Sequence, residues 1–135
     1  MPIFVIHEHH TARPHWDFRL EFDRVLKSWA MPKQPPRKAG IKRLAFQVDD
    51  HELQYADFEG AIPQGAYGEG KVTKWDNGEY KLLAITDNSL KFELFGILLK
   101  GKYVLCRFPN AGNNAWLFFK TKEARSDRRK SRAGS

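Results

Sequence analysis

The sequence predicts a mainly β fold, a small closed or nearly closed barrel, on three observations. Residues His15 to Phe22 alternate strictly between polar and apolar side chains. Short β-rich runs recur along the chain, separated by Gly, Pro and Asn. No stretch carries a long 3.6-residue apolar period, so any helix is short. Many short strands with frequent turns read as a sandwich or a barrel. Closure into a barrel removes exposed sheet edges, which suits a small β protein.

The elements follow in order. Ile3 to Ile6 reads as a first strand and Asp17 to Phe22 as a second. A turn at Asp23-Arg24 leads into a third strand, Val25 to Ala30. The proline-rich stretch 32 to 40 is a loop, because proline removes ladder donors and favours extended geometry. Leu44, Phe46 and Val48 alternate with Arg43, Ala45, Gln47 and Asp49 in a fourth strand. Gly65 to Gly70 is glycine-rich but fits neither the Walker pattern nor the dinucleotide fingerprint, and reads as a turn before a strand. Lys71 to Trp75 and Glu79 to Leu83 flank Asp76-Asn77-Gly78, a strong hairpin signal. Leu90, Phe92 and Leu94 mark another strand. Lys102 to Phe108 and Ala115 to Thr121 form a last hairpin across residues 109 to 114.

At 135 residues the chain is one domain by length and can bury a core without staples. Its apolar content of 41% and aromatic content of 13% are those of a globular protein. The single cysteine, Cys106, cannot form an internal disulfide and reads as a small core residue. No apolar run approaches the length of a membrane span, and the opening residues lack the basic start of a signal peptide. The expectation is a cytoplasmic protein with no membrane partner.

The net charge of +7 points to a polyanionic partner. From Lys120 onward there are seven basic residues and two acidic ones, so that end supplies most of the excess. The boundary falls near Lys122: residues 1–122 form the domain and 123–135 a basic, disordered tail. Such an arm holds phosphates without reading sequence, and equally serves as a frayed, solubilising end.

Side chains on a strand point alternately to opposite faces, so His15, Asp17, Arg19 and Glu21 share one face, each about 6–7 Å from the next. A solvated strand also alternates. This face, however, lacks Lys, Ser, Thr and Gln, and three more histidines, His7, His9 and His10, lie just upstream. One upstream histidine with His15 and Asp17 makes a two-histidine, one-carboxylate set with open positions, suited to Mn²⁺, Fe²⁺, Zn²⁺ or Co²⁺. Spacing does not choose among the three; in an extended segment His7 and His9 share a face and His10 opposes them. Arg19, Lys33 and Arg43 are candidate phosphate ligands, since the arginine fork donates two hydrogen bonds at once. On this reading Glu21 orients Arg19. His51 shares strand parity with Arg43 and Asp49 if the fourth strand extends that far. It suits a general acid, with Tyr55 as a second donor. The four tryptophans suit core packing better than base stacking.

Together these residues carry a resemblance. The runs from Phe4 to His9 and from His15 to Glu21 resemble the opening of the 3′-phosphoesterase domain of bacterial DNA ligase D. The stretches 26 to 33, 42 to 45, 50 to 65, 75 to 78 and 99 to 102 extend the likeness over roughly residues 4 to 122. The resemblance implies a small β barrel with short flanking helices. It implies Mn²⁺-dependent removal of a 3′-terminal ribonucleoside and then of the 3′-phosphate, leaving 3′-OH on DNA or RNA ends. It selects His9 as the upstream ligand, with His15 and Asp17. It places phosphate handling on Arg19, Lys33, Arg43, His51 and Tyr55, with Glu21 and Asp49 in support. Three features depart from the family pattern: Asp49 stands for the more usual Glu, Trp16 for Tyr, and the segment 81 to 89 is short.

The expectation is therefore a metal-dependent 3′-end-healing phosphoesterase. Its substrates are primer-template ends, and an ATP-dependent DNA ligase and a polymerase act with it in trans. The alternative is a non-catalytic nucleic-acid-binding β barrel with a structural metal, which explains the basic tail but not the polar strand face. An Fe(II) oxygenase shares the ligand set but leaves the basic residues idle.

Overall fold

The structure is a computed structural model that describes residues 1–62 and 70–122. The strands are β1 (Ile3–His10), β2 (His15–Phe22), β3 (Val25–Met31), β4 (Lys42–Glu52), β5 (Gly60–Ile62), β6 (Gly70–Ile85), β7 (Ser89–Phe95), β8 (Lys100–Arg107) and β9 (Ala115–Lys120). Neighbours run β1-β2-β3-β4-β9-β8-β7-β6-β5, and β1 also pairs with β6. The β1–β6 pairing closes eight antiparallel strands into a barrel, with β5 added along the Val72 end of β6. The only helices among the described residues are 3-10 turns, Leu53–Asp57 and Pro109–Ala111. The expected closed barrel with short helices is what forms.

The alternation of β2 decides which side is which. Phe18 and Leu20 point inward and join Phe4, Ile6, Trp29, Phe92 and Phe118 in the core. Phe18 stacks on Phe92 with ring centroids 5.6 Å apart and lies 4.9 Å from Phe118, so side chains fill the barrel. The polar partners Asp17 and Arg19 therefore face outward. A second, smaller cluster of Val5, Leu26 and Ala56 lies on that outer side, where the first 3-10 helix packs against β3 and β4. Trp29 and Trp116 are core residues, their rings 5.8 Å apart. The Asp23-Arg24 turn joins Phe22 to its partner Val25, with φ of 51° and 68° at the two central residues. That is the left-handed pair a two-residue hairpin requires.

One expected hairpin does not form. Asp76-Asn77-Gly78 lies inside β6, which runs unbroken from Gly70 to Ile85. Here β6 hands its pairing from β5 to β7 while β1 lines its other edge. The Asp76 carboxylate is spent on another turn, accepting the amides of Ile97 and Leu99 at 2.8 Å and of Leu98 at 3.2 Å. Gly78 is needed because a Cβ there would collide with the Phe95 carbonyl oxygen. The chain reverses instead at Thr86–Ser89 and Gly96–Leu99, each closed by a 2.9 Å backbone hydrogen bond. The glycine-rich turn expected before β6 lies outside the described residues except Gly70, which opens the strand. The basic segment 123–135 also lies outside them. No helix among the described residues is long and apolar enough to cross a membrane.

Candidate metal and phosphate site

Antiparallel register places the site on the outer wall. His9 faces His15 across β1–β2, His7 faces Asp17, and Val5 faces Arg19. Directly opposed side chains share a face, so His7, His9, His15, Asp17 and Arg19 gather on one patch. A cleft of about 550 Å³ opens over it, lined by His9, His15, Asp17, Arg19, Ala30, Val48, Asp49, Asp50, His51, Tyr55 and Ile62. That size is in the range of small-ligand sites.

His9, His15 and Asp17 offer ligand atoms that all lie within 4.8 Å of one another. His9 Nδ1 is 3.2 Å from His15 Nε2, and Asp17 Oδ2 is 3.8 Å and 3.4 Å from those two nitrogens. Donors held about 2.1 Å from one small cation stand about 3.0–3.4 Å apart, so this set fits a divalent ion. His15 Nδ1 donates to the Arg13 carbonyl at 3.1 Å, which directs the Nε2 lone pair inward. The Asp17 hydrogen bond is the largest influence on His15 and outweighs burial, raising its pKa. For Asp17, burial pushes the carboxyl upward, but the His15 hydrogen bond and the Arg19 charge win, and the net shift is down. Asp17 is therefore a carboxylate at neutral pH. Of the three upstream histidines His9 belongs to the set, while His10 bonds Thr73 Oγ1 at 3.3 Å.

Arg19 is 3% exposed, and among the described residues it donates four side-chain hydrogen bonds. Nε donates to His7 Nδ1 at 3.1 Å, and Nη1 to Ser28 Oγ at 2.8 Å and His51 Nδ1 at 3.1 Å. Nη2 donates to Asp17 Oδ2 at 3.3 Å. The guanidinium lies 5.0 Å from the centre of the Tyr55 ring. Because Arg19 only donates, His51 Nδ1 accepts, and the neutral ring carries its proton on Nε2. Protonation of Nδ1 would exchange that bond for the Asp49 carbonyl, 3.2 Å away. Burial, and then the Arg19 charge, lower the His51 pKa. Burial raises that of Tyr55.

The expected parity of His51 with Arg43 does not hold. Arg43 pairs with core Phe118 and lies on the same side of β4 as the buried Ala45, the inward side. A bulge then intervenes: Ser28 opposes Val48, but Leu26 opposes His51, so β4 carries one extra residue. The bulge turns His51 outward. Neither Arg43, whose Nε donates to the Gln34 carbonyl at 2.8 Å, nor the exposed loop residue Lys33 lines the cleft. Glu21 does not orient Arg19 either. Its carboxylate accepts the Ile3 amide at 3.0 Å, pinning the start of β1. Asp49 lines the cleft, close to His51.

Sequence reasoning missed the role of two of the four residues that hold Arg19. Ser28 faces it across β2–β3 and passes its own proton to the Leu26 carbonyl at 3.1 Å. A serine in the middle of the otherwise largely apolar strand Val25–Met31 was the available signal. His7 is fully buried between Arg19 and the Phe58 carbonyl, to which Nε2 donates at 3.1 Å.

A closed barrel whose outer wall presents two histidines and a carboxylate beside a buried, fully oriented arginine defines a candidate metal-and-anion site of the phosphoryl-chemistry type. The chain belongs to the DNA ligase D 3′-phosphoesterase domain family, whose model matches residues 7–107. It is 44% identical over 129 residues to the multifunctional non-homologous end joining DNA repair protein LigD of Mycobacterium tuberculosis, covering 93% of this chain and 17% of that protein. It is 46% identical over 131 residues to the multifunctional non-homologous end joining protein LigD of Pseudomonas aeruginosa, covering 91% of this chain and 16% of that one. The chain thus spans about a sixth of the length of these relatives.

Proposed function

We propose that this chain heals nucleic-acid 3′ ends, using one divalent ion, Mn²⁺, to remove a 3′-terminal ribonucleoside and then the 3′-phosphate, leaving 3′-OH. The observation that carries the reading is the meeting of His9, His15 and Asp17 with Arg19 and His51 in one cleft. His9, His15 and Asp17 would hold the ion. A cation on that donor set supplies Lewis acidity toward a phosphoryl oxygen and favours deprotonated water.

This chain's residues do the rest. Arg19, held by four hydrogen bonds, keeps one Nη2 hydrogen for a phosphoryl oxygen and neutralises charge as the ester breaks. His51 carries a proton on Nε2, available to the leaving oxygen, and Tyr55 assists with its hydroxyl. Lys33 and Arg43 serve phosphates outside the cleft, and Asp49 supports His51. The basic segment 123–135 holds the strand without reading it. The product, a 3′-OH end, is what a polymerase extends and an ATP-dependent DNA ligase seals; these are the partners, acting in trans, in a cytoplasmic end-joining role. A non-catalytic barrel would leave the buried Arg19–His51 contact without a use.

The test is incubation of the protein with a 3′-phosphate DNA strand in Mn²⁺ or in EDTA. Appearance of 3′-OH product only with the ion is expected. Absence of product with Mn²⁺, Co²⁺ and Zn²⁺ alike would remove the proposal.

A further inference from the structure

The same outer face that carries the catalytic cleft continues past it, and there its character changes. Across the strands one row reads Asp17, Ala30, Phe46. A second reads Arg19, Ser28, Val48. Along β4 the outward residues are Lys42, Leu44, Phe46 and Val48, opposite in parity to the buried Ala45. Leu117 lies beside Leu44 on β9. Polar chemistry on β1 and β2 thus gives way to an apolar shelf on β4 and β9. Leu44 is 38% exposed and Val48 40%, and Val48 and Ala30 are also walls of the cleft. Ala30 is small, so nothing tall separates the two regions.

We infer that this shelf, with Phe46 at its centre, is the platform for the nucleobase at the 3′ end being processed; the inference rests on the phosphoesterase reading above. Four features argue for a base over other occupants. The shelf is continuous with the phosphate cleft. Phe46 stands two strand spacings, about 10 Å, from Asp17, a distance that one nucleoside bridges. Phe46 is half-buried between the exposed Leu44 and Val48; an aromatic ring so placed offers a stacking surface tolerant of every base, and each base so stacked is worth several-fold or more in affinity. Finally, Lys42 lies exposed at the far end of the shelf, where the next backbone phosphate of the strand would pass. The cleft alone fixes the phosphate; the shelf decides that the group carrying it is a nucleoside.

The experiment compares two 3′-phosphate oligonucleotides, identical except that one lacks the base of its terminal nucleotide. The intact strand should have the higher kcat/KM, by about tenfold. Phe46→Ala should bring that ratio close to one, chiefly through KM, and Phe46→Trp should restore it. Leu44→Ala, at an exposed position where folding is not at stake, should lower the ratio in the same direction. Equal turnover of the two strands by the unaltered protein would overturn the inference while leaving the phosphoesterase reading intact. So would an unaltered protein that sediments as a dimer and a Phe46→Ala variant that sediments as a monomer with the ratio unchanged, since the shelf would then bind a second copy of the chain. Failure to release phosphate from either strand with any divalent ion would overturn both readings.

Discussion

Arg19 Nε donates to His7 Nδ1 at 3.1 Å, and the opposite ring nitrogen of His7 donates to the Phe58 carbonyl at 3.1 Å. One imidazole thus ties the Arg19 guanidinium to the backbone just beyond the first 3-10 helix. His7→Leu would leave a buried Arg19 N–H and a backbone carbonyl unpaired, at a cost of about 2–4 kcal/mol. His7→Gln offers an amide oxygen and an amide N–H in place of the two ring nitrogens. Denaturant midpoints should fall for the leucine variant and recover with glutamine. The kcat for 3′-phosphate release should follow the same order, since Arg19 loses its orientation only in the first. Equal kcat in both variants would show that His7 does not position Arg19.

The metal set makes a sharper demand. His9→Ala, His15→Ala and Asp17→Ala should each abolish turnover, and each should abolish Mn²⁺ binding measured by calorimetry in the absence of nucleic acid. The two histidine variants should keep the fold. Asp17→Ala should also lower the melting temperature, because buried Arg19 loses the carboxylate it pairs with. Near-normal Mn²⁺ affinity in any one variant would remove that residue from the ligand set.

Acid should loosen the protein through His7. Burial, and then the neighbouring Arg19 charge, push its pKa from 6.5 to about 4. The folded state therefore holds His7 neutral where the unfolded chain would protonate it. That preference is fully favourable above pH 6.5 and is lost as pH falls from 6.5 toward 4, at a cost reaching about 3 kcal/mol. His7→Gln removes the titrating group, so its melting temperature should fall less over this window than that of the unaltered protein. Parallel pH profiles would assign the acid sensitivity to other groups.

The alternation of His15 to Phe22 was legible because a strand has only two faces, and one of them had to be inside. Alternation alone puts Asp17 and Arg19 on one surface. The partners of that surface were less legible. His51 reaches Arg19 only through the extra residue of a β4 bulge, and alternation counted from Arg43 sends it the wrong way. Ser28 and His7 matter through register with β2, which no local pattern contains. Asp76-Asn77-Gly78 has the composition of a turn, but its aspartate caps a different turn twenty residues on. Local chemistry proposed residue types; cross-strand pairing decided which of them meet.

Asp76 gives the test of that last point. Its carboxylate is 2% exposed and accepts three successive amides, from Ile97, Leu98 and Leu99. Gly96 is constrained with it, because a Cβ there would run into Asp76 Oδ2. Removing the acceptor strands one buried and two part-buried donors in the β7–β8 turn, and hydrogen bonds to a charged group are worth about 1.5–3 kcal/mol each. Asp76→Ala should therefore cost at least about 3 kcal/mol. Asp76→Asn should be only a partial remedy, since its amide nitrogen would face a backbone N–H with nothing to accept. The groups proposed for catalysis lie on β1, β2, β4 and the first 3-10 helix, so kcat/KM measured well below the melting point should be unchanged in both variants. A stability loss under about 1 kcal/mol for alanine would mean that water replaces the carboxylate, and that the hairpin chemistry of Asp76-Asn77-Gly78 is idle in this fold.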